Sequence, residues 1–491
     1  MSKTPEFDLL IKNVRVVRPH GNAVHAADIA IVGGKVAQVA PGLAAERAKT
    51  VHDGQGRLAF PGVVDAHMHS GIYSPLDEDA VSESKAAAMG GVTSSLNYFR
   101  TGQYYLNKGG PYKKFFPEVL KISKDRFHVD YGYHLAPMDR THIEEMPMLI
   151  EKHGVASFKI FMFYGSHGLH GASDTQRDFL MIGKDERYDV AHFEFIMRGL
   201  QAAREAMAGK AGQLSLSLHC ETAEIMTAYT KIIEKDKSMK GLAAYSAARP
   251  PHSEGLAVFT AAYLANETAL SNINLLHLSS RKAVQAALTM AEVFPHIDFK
   301  REVTIGHLML DIDSPAAELA KVNPPIRPRA DVELLWEALL AGELDWVVSD
   351  HACCRHEMKI PKRYFGNVWM AKSGFGGTEY LLPALVSEGT KRGMDYNHMA
   401  RITSWNAARR FGLNSKGDIA PGFDADIALV DPARTWTIRA SESPSTQGYT
   451  PFEGLELSAR VETTFLRGMK IYEDGVILGK PRGQYLHRPT A

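Results

Sequence analysis

The sequence predicts an α/β protein: a (β/α)8 barrel of the TIM type with a small β-sandwich domain formed by both chain termini. Over roughly residues 61–412, short β-rich stretches alternate with longer helical stretches, a pattern typical of a parallel barrel. Both ends of the chain carry hairpin-like patterns instead. A length of 491 residues accommodates one large and one small domain. We therefore expect the β-sandwich domain at residues 1–58 and 416–491, and the barrel at residues 59–415.

The two ends of the chain share β-type runs that are broken by glycine. Residues 27–39 predict a hairpin that turns at Gly33 and Gly34, and residues 460–475 predict another. Residues 7–17 and 414–432 add further strand and turn patterns. Because both ends have this character, we expect them to meet in one discontinuous domain.

The central region supplies eight candidate strands, separated by helical stretches such as residues 193–208 and 281–292. An open doubly wound sheet is the alternative α/β fold, but no Gly-x-Gly-x-x-Gly motif opens a helix, so a dinucleotide role lacks support. The long Gly-, His-, Asp- and Ser-rich segment at residues 164–189 is interpreted as an active-site loop. The predicted strands are residues 63–69, 92–99, 129–136, 156–163, 214–221, 273–279, 298–305 and 344–351.

Composition excludes several classes of function. Lys+Arg and Asp+Glu both total 56, so no basic excess indicates a nucleic-acid or membrane partner. The sequence has no apolar run of transmembrane length and no apolar segment typical of a signal peptide. Three cysteines, Cys220, Cys353 and Cys354, do not suit a disulfide framework and fit a reducing cytoplasm. We therefore expect a cytoplasmic protein.

The candidate site begins at residues 61–70, PGVVDAHMHS, which predict a buried strand that ends in His67 and His69. Side chains two residues apart in a strand point to the same face, so both imidazoles can meet at one point, as in half of a metal site. A pair of surface or packed histidines is the alternative. Functional residues of a parallel barrel lie at the carboxyl ends of its strands. Other predicted strands carry further candidates there: Lys159, His219, His277 and Asp350.

Lys159 stands alone in an apolar strand, FKIFM at residues 158–162. A buried ammonium is costly unless it is paired or neutralised, and it would repel metal cations. Two interpretations remain: a lysine that forms a Schiff base, or a lysine carboxylated on Nζ by carbon dioxide. The second would turn a cation into an anionic oxygen ligand, which a two-metal site with four neutral imidazoles needs.

Together these motifs resemble the amidohydrolase superfamily, in its branch of dihydropyrimidinase, hydantoinase and allantoinase, with dihydroorotase as a neighbour. The resemblance covers nearly the whole chain. The segments that carry it are PGVVDAHMH at 61–69, FKIFM at 158–162, HCE at 219–221, HLSS at 277–280, NPPIR at 323–327, SDH at 349–351, NAA at 406–408 and GDIAPGFDAD at 417–426.

The resemblance implies two divalent metal ions, most suitably Zn2+, with Mn2+ or Co2+ as alternatives. His67, His69 and Asp350 would bind the more buried ion. His219 and His277 would bind the other ion, and Lys159, as N6-carboxylysine formed with CO2, would bridge the two.

The implied reaction is the hydrolytic opening of a C–N bond in a cyclic amide, imide or ureide, by attack of a metal-bridging hydroxide. Asp350 would carry the proton to the leaving nitrogen, and Tyr164 would stabilise the oxyanion, a packing role in the loop being its alternative. Asn323 and Ser373 would bind the substrate at positions where hydantoinases typically have serine and asparagine. These two positions depart from the hydantoinase pattern, and Cys353-Cys354 and the loop histidines His167 and His170 also differ from the relatives. The sequence therefore does not assign which substrate ring is opened.

Three alternatives to this function stay open. The same site could hydrolyse a linear amide or a lactam. A mononuclear deaminase of the same superfamily would not need Lys159. A non-catalytic scaffold, like the dihydropyrimidinase-related collapsin response mediator proteins, would lack metal ligands, whereas all six are present here. The resemblance also implies a homo-oligomer, a homotetramer or a homodimer.

Overall fold

The computed structural model describes residues 5–164 and 175–489 of the chain. Its first part is a set of strands joined by tight turns. Gly33 and Gly34 both have positive φ, at 57° and 79°, so β2 and β3 form the antiparallel hairpin that the sequence predicts at this point. These strands are β1 Phe7–Val16, β2 His25–Val32, β3 Lys35–Ala40, β4 Ala48–Asp53 and β5 Leu58–Pro61.

An eight-stranded sheet of parallel strands follows, and its strands lie in sequence order from β6 to β13. The last strand returns to the first, because Met68 forms a parallel bridge with His351 and the His69 N–H donates to the His351 carbonyl at 2.8 Å. The predicted barrel is therefore confirmed. Its strands are β6 Val63–Met68, β7 Val92–Phe99, β8 Asp130–Leu135, β9 Ser157–Phe161, β10 Ser215–His219, β11 Asn272–Leu275, β12 Asp298–Thr304 and β13 Trp346–Val348.

Helices connect the barrel strands and cover their outer faces. Two of them, α6 and α10, confirm the predicted helical stretches at residues 193–208 and 281–292. The helices are α1 Leu76–Met89, α2 Tyr112–Ser123, α3 Arg140–Glu144, α4 Met146–His153, α5 Gln176–Leu180, α6 Val190–Ala206, α7 Ala223–Ile233, α8 Gly241–Ala248, α9 Pro251–Glu267, α10 Arg281–Val293, α11 Ile305–Met309, α12 Arg329–Leu340, α13 His356–Lys359, α14 Leu381–Lys391, α15 Tyr396–Ala400 and α16 Asn406–Arg410.

The interpretation of residues 164–189 as loop throughout is wrong at one point, since α5 lies within it. Thr175 caps this helix, because its hydroxyl accepts from the Asp178 backbone N–H at 3.2 Å. No helix among the described residues combines the length and the apolar character that crossing a membrane requires.

Four of the remaining strands join the first five in one nine-stranded sheet, in the order β19-β18-β17-β14-β5-β1-β2-β3, with β4 beside β1. Apolar side chains from β1, β2, β5, β14 and β17 form a core of their own. Both termini thus build one β unit beside the barrel, while the domain limits at residues 58 and 416 stay a prediction. The strands are β14 Ile427–Asp431, β15 Trp436–Thr437, β16 Glu456–Leu457, β17 Arg460–Leu466, β18 Met469–Glu473 and β19 Val476–Ile477, of which β15 and β16 form a separate pair.

Residues 483–489 run back from the β unit to the barrel. Tyr485 forms a parallel bridge with Tyr131 at the start of β8. The Arg488 guanidinium is fully buried, and it donates to the Ser157 hydroxyl at 3.0 Å and to the Tyr133 carbonyl. This segment therefore packs against β8 and β9 near their amino-terminal ends, away from the ends that carry the candidate ligands.

Candidate metal centre

The first and last barrel strands bring His67, His69 and Asp350 together. The Nε2 atoms of the two histidines lie 3.2 Å apart, and Asp350 Oδ1 lies 3.2 Å from each of them. All three side chains are buried. Separations of this size match the edges of a tetrahedron of nitrogen and oxygen ligands around one ion, because such ligands lie about 2.0–2.2 Å from zinc. The predicted convergence of these three residues is therefore present in the fold.

Lys159 reaches the same point from β9. Its Nζ lies 3.1 Å from His67 Nε2 and stands 4.0 Å from the Tyr98 ring centroid. Burial lowers the pKa of Lys159 to about 7. A large fraction of this lysine is therefore a neutral amine at neutral pH, the form that can react with carbon dioxide.

His219 and His277 lie beside this group. His219 is the last residue of β10, His277 follows β11 by two residues, and their ring centroids are 4.3 Å apart. The His277 Nδ1 atom is buried and has no hydrogen-bond partner among the described residues. His277 and Asp350 also have positive φ, at 33° and 53°, which is unfavourable for residues other than glycine. Such strain is concentrated at functional sites, where the surrounding fold imposes it.

The protonation states fit metal binding. Burial lowers the pKa of all four histidines, to about 4 for His219, so the imidazoles are neutral at neutral pH. Burial alone would raise the pKa of Asp350, but His67, His69 and Lys159 hold it below its ordinary value. Four neutral imidazoles and an ionised carboxylate are a donor set that suits zinc and similar divalent ions. The residues present therefore fit the implied metal centre.

Glu302 on β12 contacts two of these histidines, and the sequence reasoning missed it. Its Oε1 lies 2.7 Å from His67 Nδ1 and accepts from the His277 backbone N–H at 3.1 Å. Its Oε2 accepts from the Trp346 indole N–H at 2.9 Å. A carboxylate on Nδ1 directs Nε2 toward a metal, as is usual for metal-binding histidines. The available signal was a single acid near the end of a predicted barrel strand, at residues 298–305.

His219 has a similar support. Its Nε2 lies 2.6 Å from Glu221 Oε2, which leaves Nδ1 for a ligand. Both oxygens of Glu221 also accept from the Arg249 guanidinium, at 2.9 and 2.7 Å, deep in the protein. Glu221 was part of the HCE motif, but Arg249, 28 residues later, was not predicted.

A cavity of about 450 Å3, partly open to solvent, lies over these residues. Tyr164, Asn323 and Ser373, the predicted substrate residues, all line it together with Lys159 and three of the four histidines. The histidines are His69, His219 and His277.

Each of the three predicted substrate residues is held by a partner. The Tyr164 phenol oxygen accepts from Arg100 Nε at 2.9 Å, and Arg100 is itself buried. The Asn323 side-chain oxygen accepts from the Tyr245 hydroxyl at 2.5 Å, while its buried Nδ2 has no hydrogen-bond partner among the described residues. The Tyr245 hydroxyl also lies 3.3 Å from Ser373 Oγ.

Two further predicted features have different outcomes. Cys353 and Cys354 are buried free thiols close to the cavity wall at Ala352, and burial raises the pKa of both. His167 and His170 lie outside the described residues.

Histidines, a lysine and an aspartate lie together at the strand ends of a parallel barrel, where the functional residues of such barrels are found. The fold and the site therefore define a barrel protein with a candidate metal centre. The amidohydrolase family model matches residues 178–471, and the chain belongs to this family. An allantoinase from Rubrobacter xylanophilus is 31% identical over 487 residues, which cover 98% of this chain and 97% of the relative. A D-hydantoinase from Geobacillus stearothermophilus is 31% identical over 494 residues, with coverages of 98% and 96%.

A solved structure shares the architecture. D-hydantoinase from a Bacillus sp. AR9 superposes with a TM-score of 0.83 at 26% identity, over 99% of this chain and 100% of that one. The predicted superfamily and fold class are thereby confirmed.

Proposed function

We propose that this protein is a metal-dependent hydrolase that opens a C–N bond of a cyclic amide, imide or ureide. The observation that carries the proposal is the convergence of His67, His69, Asp350 and Lys159, through contacts of 3.1–3.2 Å, at one cavity that all but His67 line. The relatives support the choice of bond, since they are an allantoinase and a D-hydantoinase over nearly the full length.

The proposed metal centre holds two divalent ions, which when bound supply an activated water molecule and polarise the substrate carbonyl. His67, His69 and Asp350 would hold one ion, and His219 and His277 the other. Lys159, carboxylated on Nζ, would contribute an oxygen to each. Zinc is the proposed metal because imidazole and carboxylate are its usual nitrogen and oxygen ligands.

Asp350 is the proposed proton carrier. Its neighbours keep its pKa below the ordinary value, so it starts the reaction as a carboxylate and can accept the proton of the attacking water. It lies at the end of β13 on the cavity floor, from where it would return this proton to the leaving nitrogen. The nitrogen then separates from the carbonyl carbon as a neutral group and stays attached to the opened chain, which is the single product.

Tyr164 is the proposed oxyanion donor. Its hydroxyl oxygen accepts from Arg100, which directs the phenolic hydrogen away from the guanidinium. A hydrogen bond from a preorganised donor to the developing oxyanion is a major source of rate enhancement. Asn323 and Ser373 line the same cavity and would bind the polar edge of the ring.

The proposal includes a cytoplasmic location and a homo-oligomer, either a tetramer or a dimer. The three free, buried cysteines suit a reducing compartment. The substrate is a small molecule, because the candidate ligands line a partly open cavity that combines apolar side chains with a few polar groups, as small-molecule sites do.

Metal analysis together with a ring-opening panel tests the proposal. We expect about two metal ions per chain in the purified enzyme, and hydrolysis of at least one of hydantoin, dihydrouracil, allantoin, dihydroorotate and simple cyclic imides. One ion per chain would favour the deaminase alternative, and none would favour the scaffold. Activity on linear amides or lactams alone would replace the proposed substrate class with these compounds.

The variant Lys159→Ala is expected to lose metal and activity together. Lys359→Met is a matched control, because Lys359 is also buried, with a pKa lowered to about 7 by burial, but its Nζ donates to the backbone carbonyls of Lys321 and Gly374. A Lys159→Ala protein that kept both ions and full activity would contradict the proposed site.

A further inference from the structure

Helix α9 presents an apolar stripe to solvent. Its inner face buries small residues against the barrel, among them Ala257, Ala261 and Ala265. Its exposed positions follow the helical repeat, since His252, Leu256, Phe259, Tyr263 and Glu267 succeed one another at intervals of three or four residues. The stripe therefore has three large apolar side chains at its centre and one polar side chain at each end.

The stripe continues onto the helices beside α9. Tyr229 on α7 packs edge-on against His252, with ring centroids 5.4 Å apart, and Ile232 follows it on the same helix. Helix α6, which also contacts α9, exposes Phe195. The apolar patch is defined as Phe195, Tyr229, Ile232, Leu256, Phe259 and Tyr263, each of which is between 38% and 62% exposed.

The area of this patch is large for a free surface. A fully exposed aromatic side chain offers about 150–250 Å2, so six half-exposed residues present roughly 600 Å2 of apolar surface. That is the upper limit for the largest patch on an ordinary monomer. Interfaces are about 57–65% apolar, so such a patch corresponds to roughly 1,000 Å2 per partner, somewhat more than the roughly 800 Å2 that a specific interface needs.

The spacing along α9 is complementary to itself. If two copies of the helix cross antiparallel about a two-fold axis between residues 259 and 260, each exposed position meets a fitting one. Leu256 then faces Tyr263 of the other copy, and the two Phe259 side chains pack beside the axis. His252 at one end meets Glu267 at the other, a pairing in which an imidazole can donate to a carboxylate. A contact about a two-fold axis requires this kind of self-complementary surface.

We propose that this patch is where a second copy of the chain docks, with α9 packed antiparallel against its symmetry mate. This inference rests on the proposed homo-oligomeric state and gives it a location. It is independent of the proposed chemistry, because the patch lies on the outer helices and not at the strand ends that carry the metal ligands.

Phe259→Glu tests the surface, because two-fold symmetry would place two buried carboxylates next to each other. We expect the association constant to fall about 100-fold or more, seen as a halving of the oligomer mass in sedimentation velocity. Val476→Glu is the matched control, since Val476 is similarly exposed but lies on β19 in the β unit. Unchanged circular dichroism and thermal unfolding would show that both variants fold.

A double variant, Leu256→Cys with Tyr263→Cys, tests the register. A short bismaleimide should link it into covalent dimers, whereas each single variant should link far less. The native cysteines are all buried and do not compete.

The outcomes separate this inference from the proposal on which it rests. A wild-type protein that is monomeric at micromolar concentration would overturn both the oligomeric state and the docking surface. The partner that covers the patch would then be a different protein. A wild-type oligomer whose mass is unaffected by Phe259→Glu would overturn the surface alone. Cross-linking of the single variants as strong as that of the double variant would overturn the antiparallel register.

Discussion

Replacement of Arg249 by methionine should destabilise the fold in a pH-dependent manner. The guanidinium makes two hydrogen bonds to the carboxylate of Glu221, and both groups are almost completely buried. Methionine keeps much of the apolar stem but leaves the carboxylate without its counter-ion. The carboxylate would still touch His219, at 2.6 Å, so the loss falls on the support of a candidate metal ligand as well.

The magnitude follows from the pKa of Glu221. Burial alone would raise this pKa, but Arg249 and the hydrogen bond to His219 lower it from the ordinary 4.5 to about 2. That difference corresponds to about 3 kcal/mol of stability at neutral pH. Removing one partner of a buried ion pair costs about 3–5 kcal/mol in other proteins, which agrees. With an unfolding entropy of about 1 kcal/mol/K for 491 residues, the melting temperature should fall by about 3 °C or more.

The assay is thermal unfolding of the wild type and Arg249→Met between pH 7 and pH 3.5. Because the folded pKa of Glu221 lies below its ordinary value, the contribution of the pair is complete above pH 4.5. It declines as the pH falls toward about 2, and at pH 3.5 it is about 2 kcal/mol. The difference between the two proteins should therefore shrink on acidification. The double variant Glu221→Gln with Arg249→Met, which leaves no unpaired charge, should recover part of the loss.

Two results would refute this reasoning. One is an equal melting temperature for wild type and Arg249→Met at pH 7. The other is a deficit of the same size at pH 3.5 and pH 7, since it would show that the carboxylate of Glu221 is not the group responsible.

Further predictions concern catalysis, carboxylation and packing. Tyr164→Phe should lower kcat about 100-fold or more with little change in metal content. Arg100→Met should lower kcat by a smaller factor. A wild-type kcat in Tyr164→Phe would contradict the oxyanion role of Tyr164. In metal-free protein, incorporation of 13C-bicarbonate at Lys159 should rise as the pH rises through about 7, because the neutral amine is the reactive form; uptake that is independent of pH would contradict it. Gly483→Ala should destabilise by about 2 kcal/mol or more in urea unfolding, because a Cβ would meet the Val129 carbonyl at 1.8 Å; unchanged stability would contradict this close approach.

Periodicity and strand-end chemistry were enough to predict the barrel and to place six candidate residues at its mouth, while the resemblance implied their roles as metal ligands. The eight strands were found where hydrophobic runs lie, since a strand buried on both faces is recognisable from its own residues. Their ends were less well placed. His277 and Asp350 each lie two residues beyond the end of their strand and have positive φ, a conformation that tertiary contacts impose and that local sequence does not specify.

The supporting residues of the site could not be predicted in the same way. Glu302 contacts His67 across 235 positions of sequence, and Arg100 contacts Tyr164 across 64, so neither pair leaves a local pattern. A barrel brings such residues together only when it closes. Helix α5, in contrast, had a usable signal, because Thr175 and Asp178 have the spacing of a capping box, but the glycine-rich surroundings obscured it.

The return of residues 483–489 to the foot of the barrel has a consequence for biosynthesis. Arg488 is buried against Tyr133 and Ser157, which the ribosome makes more than 300 residues earlier. Domains commonly fold during synthesis, amino-terminal part first. Here β8 and β9 stay incompletely packed until the C-terminal segment has emerged, so the nascent chain exposes apolar surface throughout the translation of the barrel. A chaperone that holds this intermediate should therefore raise the yield of native enzyme.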